Sequence, residues 1–393
     1  MSDNILNQHI TPNRIADQLA EMVRIPSVNP FGQPATPDQG EAKMVNYLQC
    51  QLEALGLSVE SCEVAPNRRN VWARWPGKGH APSIALIAHM DTVGVEGYDE
   101  PFSGRIDNDG CLHGRGSCDM KAALAAYLEV LRVISEQGVD LPSDLYIIGL
   151  VDEEHDMIGS RAYPSHGPLA DFGIIGEPTG LEICTAHRGQ YGFTIASIGK
   201  SIHSSQKEKG HNAIVSMMPV LAMLDEYQQY HNGLPSHPLC GHTGVSPNVI
   251  RGGTVIPIVP GRCELEIDIR QLPGLAVDTV KAELTERLAI LEAEHAGSKY
   301  ELIGPTWHLP AYELDDSSPV TQRLANRIRL SPADGEAVFK ACPAATDAPN
   351  MGFPTIICGP GNLEQAHTTN EFVALDQVVD AAKIYLNCLL NSG

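Results

Sequence analysis

The sequence predicts an α/β protein in which a mostly parallel sheet flanked by helices is interrupted by a smaller α+β domain with an antiparallel sheet. Three observations carry this. Runs that are apolar throughout, at residues 84–88, 145–151, 172–176 and 354–358, alternate with helical segments, as strands buried on both faces do. Within residues 183–302 the pattern shifts to partial period-two alternation and long amphipathic helices, which suits a small antiparallel sheet with helices on one face. At 393 residues the chain is also too long for one core. The expected division is a discontinuous main domain, 1–182 with 303–393, and an inserted domain, 183–302.

Taken in order, Thr11-Pro12 opens a helix, with Thr as its cap, Pro in its first turn and Ile15, Leu19 and Met22 on one face. Residues 40–55 form a second amphipathic helix with Met44, Tyr47, Leu48 and Leu52 inward, and Gly56 stops it. Strands follow at 58–64, 71–75 and 83–89, then an Ala- and Leu-rich helix at 121–134 and strands at 144–151 and 172–176. In the insert, 191–198 and 265–270 alternate as strands. Residues 210–230 and 277–295 are helical, the latter with Val280, Leu284, Leu288 and Leu291 in register. The last part resumes the first pattern, with a helix at 319–328, strands at 337–341 and 354–358, and a helix at 373–390.

Lys and Arg number 27 against 48 Asp and Glu, a net charge of −21 that repels phosphate backbones and argues against nucleic-acid binding. No apolar run approaches the ~20 residues that span a bilayer. Residues 1–9 lack the basic and apolar regions of a signal peptide, so cytoplasm is the expected compartment. The ten cysteines include no Cys-x-x-Cys pair, and Cys263, Cys358 and Cys388 sit inside apolar runs, as small buried hydrophobes do. This argues against a disulfide framework and against a thiolate metal site.

Chemistry gathers where the apolar runs end. The first ends at His89-Met90-Asp91, where alternation of an extended chain points His89 and Asp91 the same way. The second ends at Asp152-Glu153-Glu154 and the third at Glu177-Pro178-Thr179. The fourth ends at Gly359-Pro360-Gly361, with His367 shortly beyond, and Asp119 stands just before the helix at 121–134. Ligands of open α/β sheets collect outside the carboxyl ends of the strands. Nitrogen and oxygen donors without sulfur suit a pair of divalent ions sharing one carboxylate, with Zn2+ favoured and Co2+ or Mn2+ also accommodated. Singly, each residue has an ordinary reading: Asp119 as a helix cap, Glu153-Glu154 as a solvated loop, Glu177 as turn chemistry, His367 as a surface histidine. Their convergence at strand ends favours a site. Cys118 reads as a packing residue rather than a nucleophile. Gly359-Pro360-Gly361 lacks a third glycine at the right offset and loses an N–H to Pro360, so it is not a phosphate loop.

Several stretches together carry a family resemblance: Ala88 to Val93, Gly114 to Lys121, Asp152-Glu153-Glu154, Gly176 to Thr179, and Ala366 to Phe372. They resemble the M20 metallopeptidases and deacylases over nearly the whole chain. Further stretches resemble the branch that deacetylates N-acetylornithine, in arginine biosynthesis: Ala186 to Gly189, Gly199 to Ser205, Asp268 to Gly274 and Gly359 to Gly361 with Gln365-Ala366-His367. Glu177, rather than Asp, resembles the deacylase and carboxypeptidase branches.

The resemblance implies one metal held by His89, Asp119 and Glu177 and a second by Asp119, Glu154 and His367, with Asp91 orienting His89 and Glu153 as general base. It implies that 183–302 is a lid and dimerisation domain, and that His203 enters the partner's site in a homodimer and donates to the oxyanion. Arg188 and Arg270 resemble substrate-carboxylate contacts; a structural ion pair is the alternative for each. Thr346-Asp347-Ala348-Pro349 resembles a loop near the substrate, where Asp347 is expected to read a cationic side chain or else to cap the loop; Thr346 and Gly359 are expected to line the same pocket. The chain departs from the family at Pro257, where a lid asparagine is usual, and Asn248 is the nearby amide. The activity implied is hydrolysis of an N-acyl amino acid. The alternatives are a desuccinylase of an acylated diamino acid, another N-acyl-amino-acid deacylase, a dipeptidase or carboxypeptidase, and a non-catalytic scaffold on the same fold.

Overall fold

The apolar runs become the middle of a sheet. The computed structural model describes residues 6–36, 40–79, 81–328 and 337–390. It divides into two compact units, Met1–Thr185 with Leu314–Gly393, and Ala186–Glu313. The chain begins with α1 (Pro12–Val23), α2 (Ala42–Ala54), β1 (Val59–Ala65), β2 (Arg68–Trp75) and β3 (Ile84–His89). It continues through β4 (Cys111–His113), α3 (Lys121–Glu136), β5 (Leu145–Leu150), β6 (Phe172–Pro178) and β7 (Ile183–His187), whose last two residues open the second unit. That unit contains β8 (Gln190–Ile198), α4 (Ala213–Gly233), β9 (Gly244–Gly252), β10 (Arg262–Arg270), α5 (Val277–Glu294) and β11 (Lys299–Leu309). The return to the first unit adds α6 (Pro319–Arg327), β12 (Phe339–Cys342), β13 (Thr355–Gly359), β14 (Phe372–Ala374) and α7 (Leu375–Leu390).

In the first unit the sheet order is β1-β2-β5-β3-β6-β13-β7. The four central strands, β5, β3, β6 and β13, are parallel, while β2 and β7 flank them antiparallel. Every residue of β3, β6 and β13 is buried, which is why these strands read as unbroken apolar runs rather than alternations. Helix α3 packs on α1 and α7 and is buried nearly all round. Its single acid in the middle, Glu129, is held by Arg14 at 2.9 Å.

In the second unit the sheet order is β9-β10-β8-β11, antiparallel throughout. Along β10, Cys263, Leu265, Ile267 and Ile269 alternate inward and meet Met217, Val220 and Leu224 of α4 and Leu284 and Leu288 of α5 in one core. Val280, Leu284, Leu288 and Leu291 are the buried stripe of α5. Among the described residues no helix is long and apolar enough to cross a membrane.

Several expectations shift. Residue 302 falls inside β11, whose register shifts after Ile303, and the second compact unit runs from Ala186 to Glu313. Strand β9 was masked by Pro247, beside which its register shifts. Residues 372–374 are a strand, with Val373 paired to Leu112, and the last helix starts at Leu375. Thr11 does not cap α1 through its side chain; its hydroxyl donates to the His9 carbonyl at 3.3 Å. In α2 the fourth inward residue is Val45, while Tyr47 is half-buried with its hydroxyl donating to Glu21.

Candidate active site

Because β5, β3, β6 and β13 are parallel neighbours, their carboxyl ends share one edge of the sheet. His89 pairs with Leu150, which leaves 152–154 just beyond that edge, and pairing of Ile87 with Ile175 brings Glu177 level with His89. Asp119 arrives from the turn before α3, and its peptide bond to Met120 is cis. His367 comes from the connection between β13 and β14 with a φ of 61°.

The side chains form two groups that share a member. His89 Nε2 lies 3.0 Å from Asp119 Oδ1 and 3.9 Å from Glu177 Oε1. His367 Nε2 lies 3.3 Å from Asp119 Oδ2 and 3.0 Å from Glu154 Oε2. In each group, one donor atom from every residue lies within 4.8 Å of the others. Asp119 thus turns one oxygen to each histidine. Glu154 Oε1 and Glu177 Oε1 are buried with no hydrogen-bond partner among the described residues. Buried carboxylate oxygens without a hydrogen bond are costly, and a cation is a partner that relieves them. These residues fit divalent ions on that ground and on donor type, all nitrogen and oxygen.

The electrostatics follow from crowding. Burial pushes the Glu177 and Glu153 carboxyls well above the usual carboxylate range; Asp119 adds most to the first and Glu177 to the second. Burial also raises Glu154. Against the effect of burial, the histidine hydrogen bonds hold Asp119 below its usual range. Burial alone would lower the imidazoles. Hydrogen bonds to Asp119 and Glu154 nevertheless carry His367 up to about 10, and those to Asp119 and Asp91 raise His89.

Asp91 meets the ring of His89 through two oxygens. His89 Nδ1 lies 3.0 Å from the Asp91 main-chain carbonyl and 3.6 Å from Oδ1. The same carboxylate accepts the backbone N–H groups of Glu153, at 3.2 Å, and Glu154, at 3.1 Å. Glu371, four residues after His367, is a support that the sequence did not reveal. Its buried carboxylate accepts the N–H groups of Gly116, Cys118 and Asp119 at 2.9–3.1 Å and pairs with Arg115 at 2.6 Å, pinning the turn that delivers Asp119.

The other expected residues fall as follows. Asp347 is buried in the first unit; burial pushes its carboxyl up to about 7, and its Oδ1 has no hydrogen-bond partner among the described residues. Thr346 is buried beside it, its hydroxyl accepting the Ala348 N–H at 3.2 Å. Gly359 donates to the Thr179 hydroxyl at 3.2 Å and accepts from Leu181 N at 3.0 Å. A Cβ on Gly359 would meet Gly176, so close strand packing accounts for this glycine. Burial raises the Cys118 thiol, and Asp119 adds to it, which suits an inert packing residue.

In the second unit, Arg270 Nε pairs with Asp268 at 2.9 Å, and Arg188 donates to the His242 carbonyl at 3.5 Å. His203 is exposed, its Nδ1 2.8 Å from the Ser205 hydroxyl. The Pro257 carbonyl accepts the Ser204 N–H, and Asn248 accepts from Ser246.

The sequence profile of peptidase family M20/M25/M40 matches residues 85–391. The acetylornithine deacetylase of Vibrio vulnificus is 33% identical over 353 residues, covering 86% of this chain and 88% of that protein. That of Edwardsiella ictaluri is 32% identical over 358 residues, covering 87% and 88%. In three dimensions, a tripeptidase from Staphylococcus aureus superposes with a TM-score of 0.78 at 23% identity, over 97% of this chain and 98% of that one. A metallo-carboxypeptidase from Sulfolobus solfataricus gives 0.72 at 17% identity, over 95% and 98%.

Proposed function

The chain belongs to peptidase family M20/M25/M40 and is a metal-dependent amidohydrolase, and we propose that it removes the acetyl group from an N-acetylated amino acid of the ornithine type. The observation that carries the reading is the shared aspartate: Asp119 turns Oδ1 to one histidine and Oδ2 to the other, 3.0 and 3.3 Å away. That supports two divalent ions, zinc by donor type, one held by His89, Asp119 and Glu177 and one by Asp119, Glu154 and His367. Divalent ions held by these residues would supply Lewis acidity to water and to the amide carbonyl.

In this reading Glu153, which belongs to neither group, is the base. It takes a proton from the attacking water as the oxygen adds to the amide carbon. It then returns the proton to the amine nitrogen as the C–N bond breaks, releasing acetate and the free amino acid. Its environment strengthens it as a base, because burial and Glu177 raise its carboxyl above the usual carboxylate range. Asp347 reads the free side-chain ammonium of the substrate; the support is its unpartnered, buried Oδ1. The acetylornithine deacetylases at about one-third identity support the substrate class.

We assign the enzyme to the cytoplasm and to a homodimer in which His203 serves the partner's site. Exposed apolar residues Ile214, Val215, Met218 and Leu221 on α4 and Ile250 on β9, the edge strand, support an interface on the second unit. The test is a hydrolysis screen of acetyl, succinyl and formyl derivatives of ornithine, diaminopimelate, citrulline and methionine, with and without prior chelation. Chelator-sensitive release of acetate from acetylornithine above the rest is expected. A preference for a succinyl compound, or activity indifferent to chelation, overturns the reading.

A further inference from the structure

Asn29 is buried, and nothing in the site chemistry above uses it. Its amide nitrogen donates to Asp91 Oδ2 at 2.7 Å and to Asp152 Oδ1 at 3.0 Å, and its amide oxygen accepts the Phe31 N–H at 2.7 Å. A primary amide offers two N–H donors and an acceptor on one planar group, which among uncharged side chains only Asn and Gln can do. Here the amide nitrogen bridges two buried carboxylates, one of which, Asp152, also carries Arg68.

The carboxylates that Asn29 joins hold one turn from two sides. Asp91 accepts the N–H groups of Glu153 and Glu154 at 3.2 and 3.1 Å. Asp152 Oδ2 accepts those of Asp156, at 3.2 Å, and Ile158, at 3.4 Å, while its Oδ1 pairs with Arg68 Nη1 at 2.6 Å. Arg68 in turn binds buried Glu41. Asp152 itself sits at a φ of 71°, a conformation that costs a non-glycine residue energy and persists only where the surroundings hold it. The ring of His89 lies nearer the main-chain carbonyl of Asp91, at 3.0 Å, than its Oδ1, at 3.6 Å.

We infer that Asn29 is a positioning residue for the Glu153-Glu154 pair, setting the base and the glutamate of the His367 group together, and that it bears on the His89 group less, through the longer approach of Asp91 Oδ1 to the ring. This rests on the two-ion reading above. It acts through backbone donors, so its loss displaces Glu154 without removing any ligand.

The test is calorimetric titration of the ion-free full-length chain with Co2+. Wild type is expected to bind two ions per chain. Asn29→Ala is expected to weaken one class of site about 10- to 100-fold, the usual effect of losing a support behind a ligand, and the other by no more than about threefold. Its kcat should fall while KM stays within about twofold, because the defect lies in the base and not in substrate binding. If Asn29→Ala does not fold, Asn29→Ser decides: one hydroxyl serves only one carboxylate at a time, and the same site-selective loss should appear in smaller measure. Equal weakening of both sites, or of neither, in the variant that folds overturns the inference. A wild-type chain that binds fewer than two ions overturns the two-ion reading and this inference with it.

Discussion

Glu153 and Asp119 stand at opposite ends of what one side chain can do here. Asp119 belongs to both groups, so Asp119→Ala should lose both ions together, and metal analysis after gel filtration would read this as a fall toward none per chain. Glu153 belongs to neither. Glu153→Gln should keep both ions and lose about 10²- to 10⁴-fold in kcat, the contribution of a positioned base. Loss of metal from the glutamine variant, or retention of kcat within about tenfold, counts against the base assignment. The residues in this comparison were legible because each ends an apolar run or opens the helix after one, and a polar residue in such a place stands out. Asn29, Arg68 and Glu371 were not. Asn29 meets Asp91 and Asp152 across 62 and 123 positions, and Glu371 meets Asp119 across 252. A buried polar residue whose partners lie that far off has no periodicity or spacing to betray it.

At the scale of elements, the first strand of support is β2, where Arg68 ties the residue before α2 to the turn after β5 through Glu41 and Asp152. All three side chains are nearly inaccessible. Arg68→Met removes the only cation from that group among the described residues and leaves two buried acids without it. Urea unfolding should then show a loss of about 3–5 kcal/mol, the cost of breaking a buried pair from one side; a loss below about 1 kcal/mol would mean that water or protonation rescues the acids. Strand β7 carries a pH-dependent counterpart. His187 is buried at its end, and burial lowers its pKa to about 4. Above about pH 6.5 the ring is neutral in both folded and unfolded chains. Between about 6.5 and 4 only the unfolded chain takes up the proton, so stability is lost as pH falls, by about 3 kcal/mol in all. His187→Gln should remove that slope, and parallel unfolding curves of wild type and variant from pH 7.5 to 4.5 would refute the assignment. The parallel strands were easier to foresee than the antiparallel ones for a related reason. Burial on both faces gives β3, β6 and β13 an unmistakable run, whereas β9, with Pro247 beside its bulge and mostly exposed side chains, shows neither a run nor a clean alternation.

For the whole molecule the prediction concerns whether one chain suffices. The second unit closes its own core between α4, α5 and one face of its sheet, yet α4 still presents Val215 and Met218 at 58% and 67% exposure, and Ile256 is 98% exposed. Monomers rarely leave such a stripe uncovered, and a second copy related by a twofold axis is the economical way to cover it. A dimer that placed His203 in its partner's site would have a consequence no monomer can imitate. Mix a Glu153→Ala chain with a His203→Ala chain under conditions that exchange subunits. In each heterodimer one site then takes both defects and the other takes none. Equal amounts assorting at random make half of all dimers mixed, so about a quarter of the sites, and about a quarter of wild-type activity, should return. If His203 works within its own chain, every site keeps one defect whatever the mixture, and activity stays at the level of the parents. The same result would follow if the chains never pair, so sedimentation of the mixture is run alongside: dimers without recovered activity reject the trans histidine, and monomers reject the interface itself.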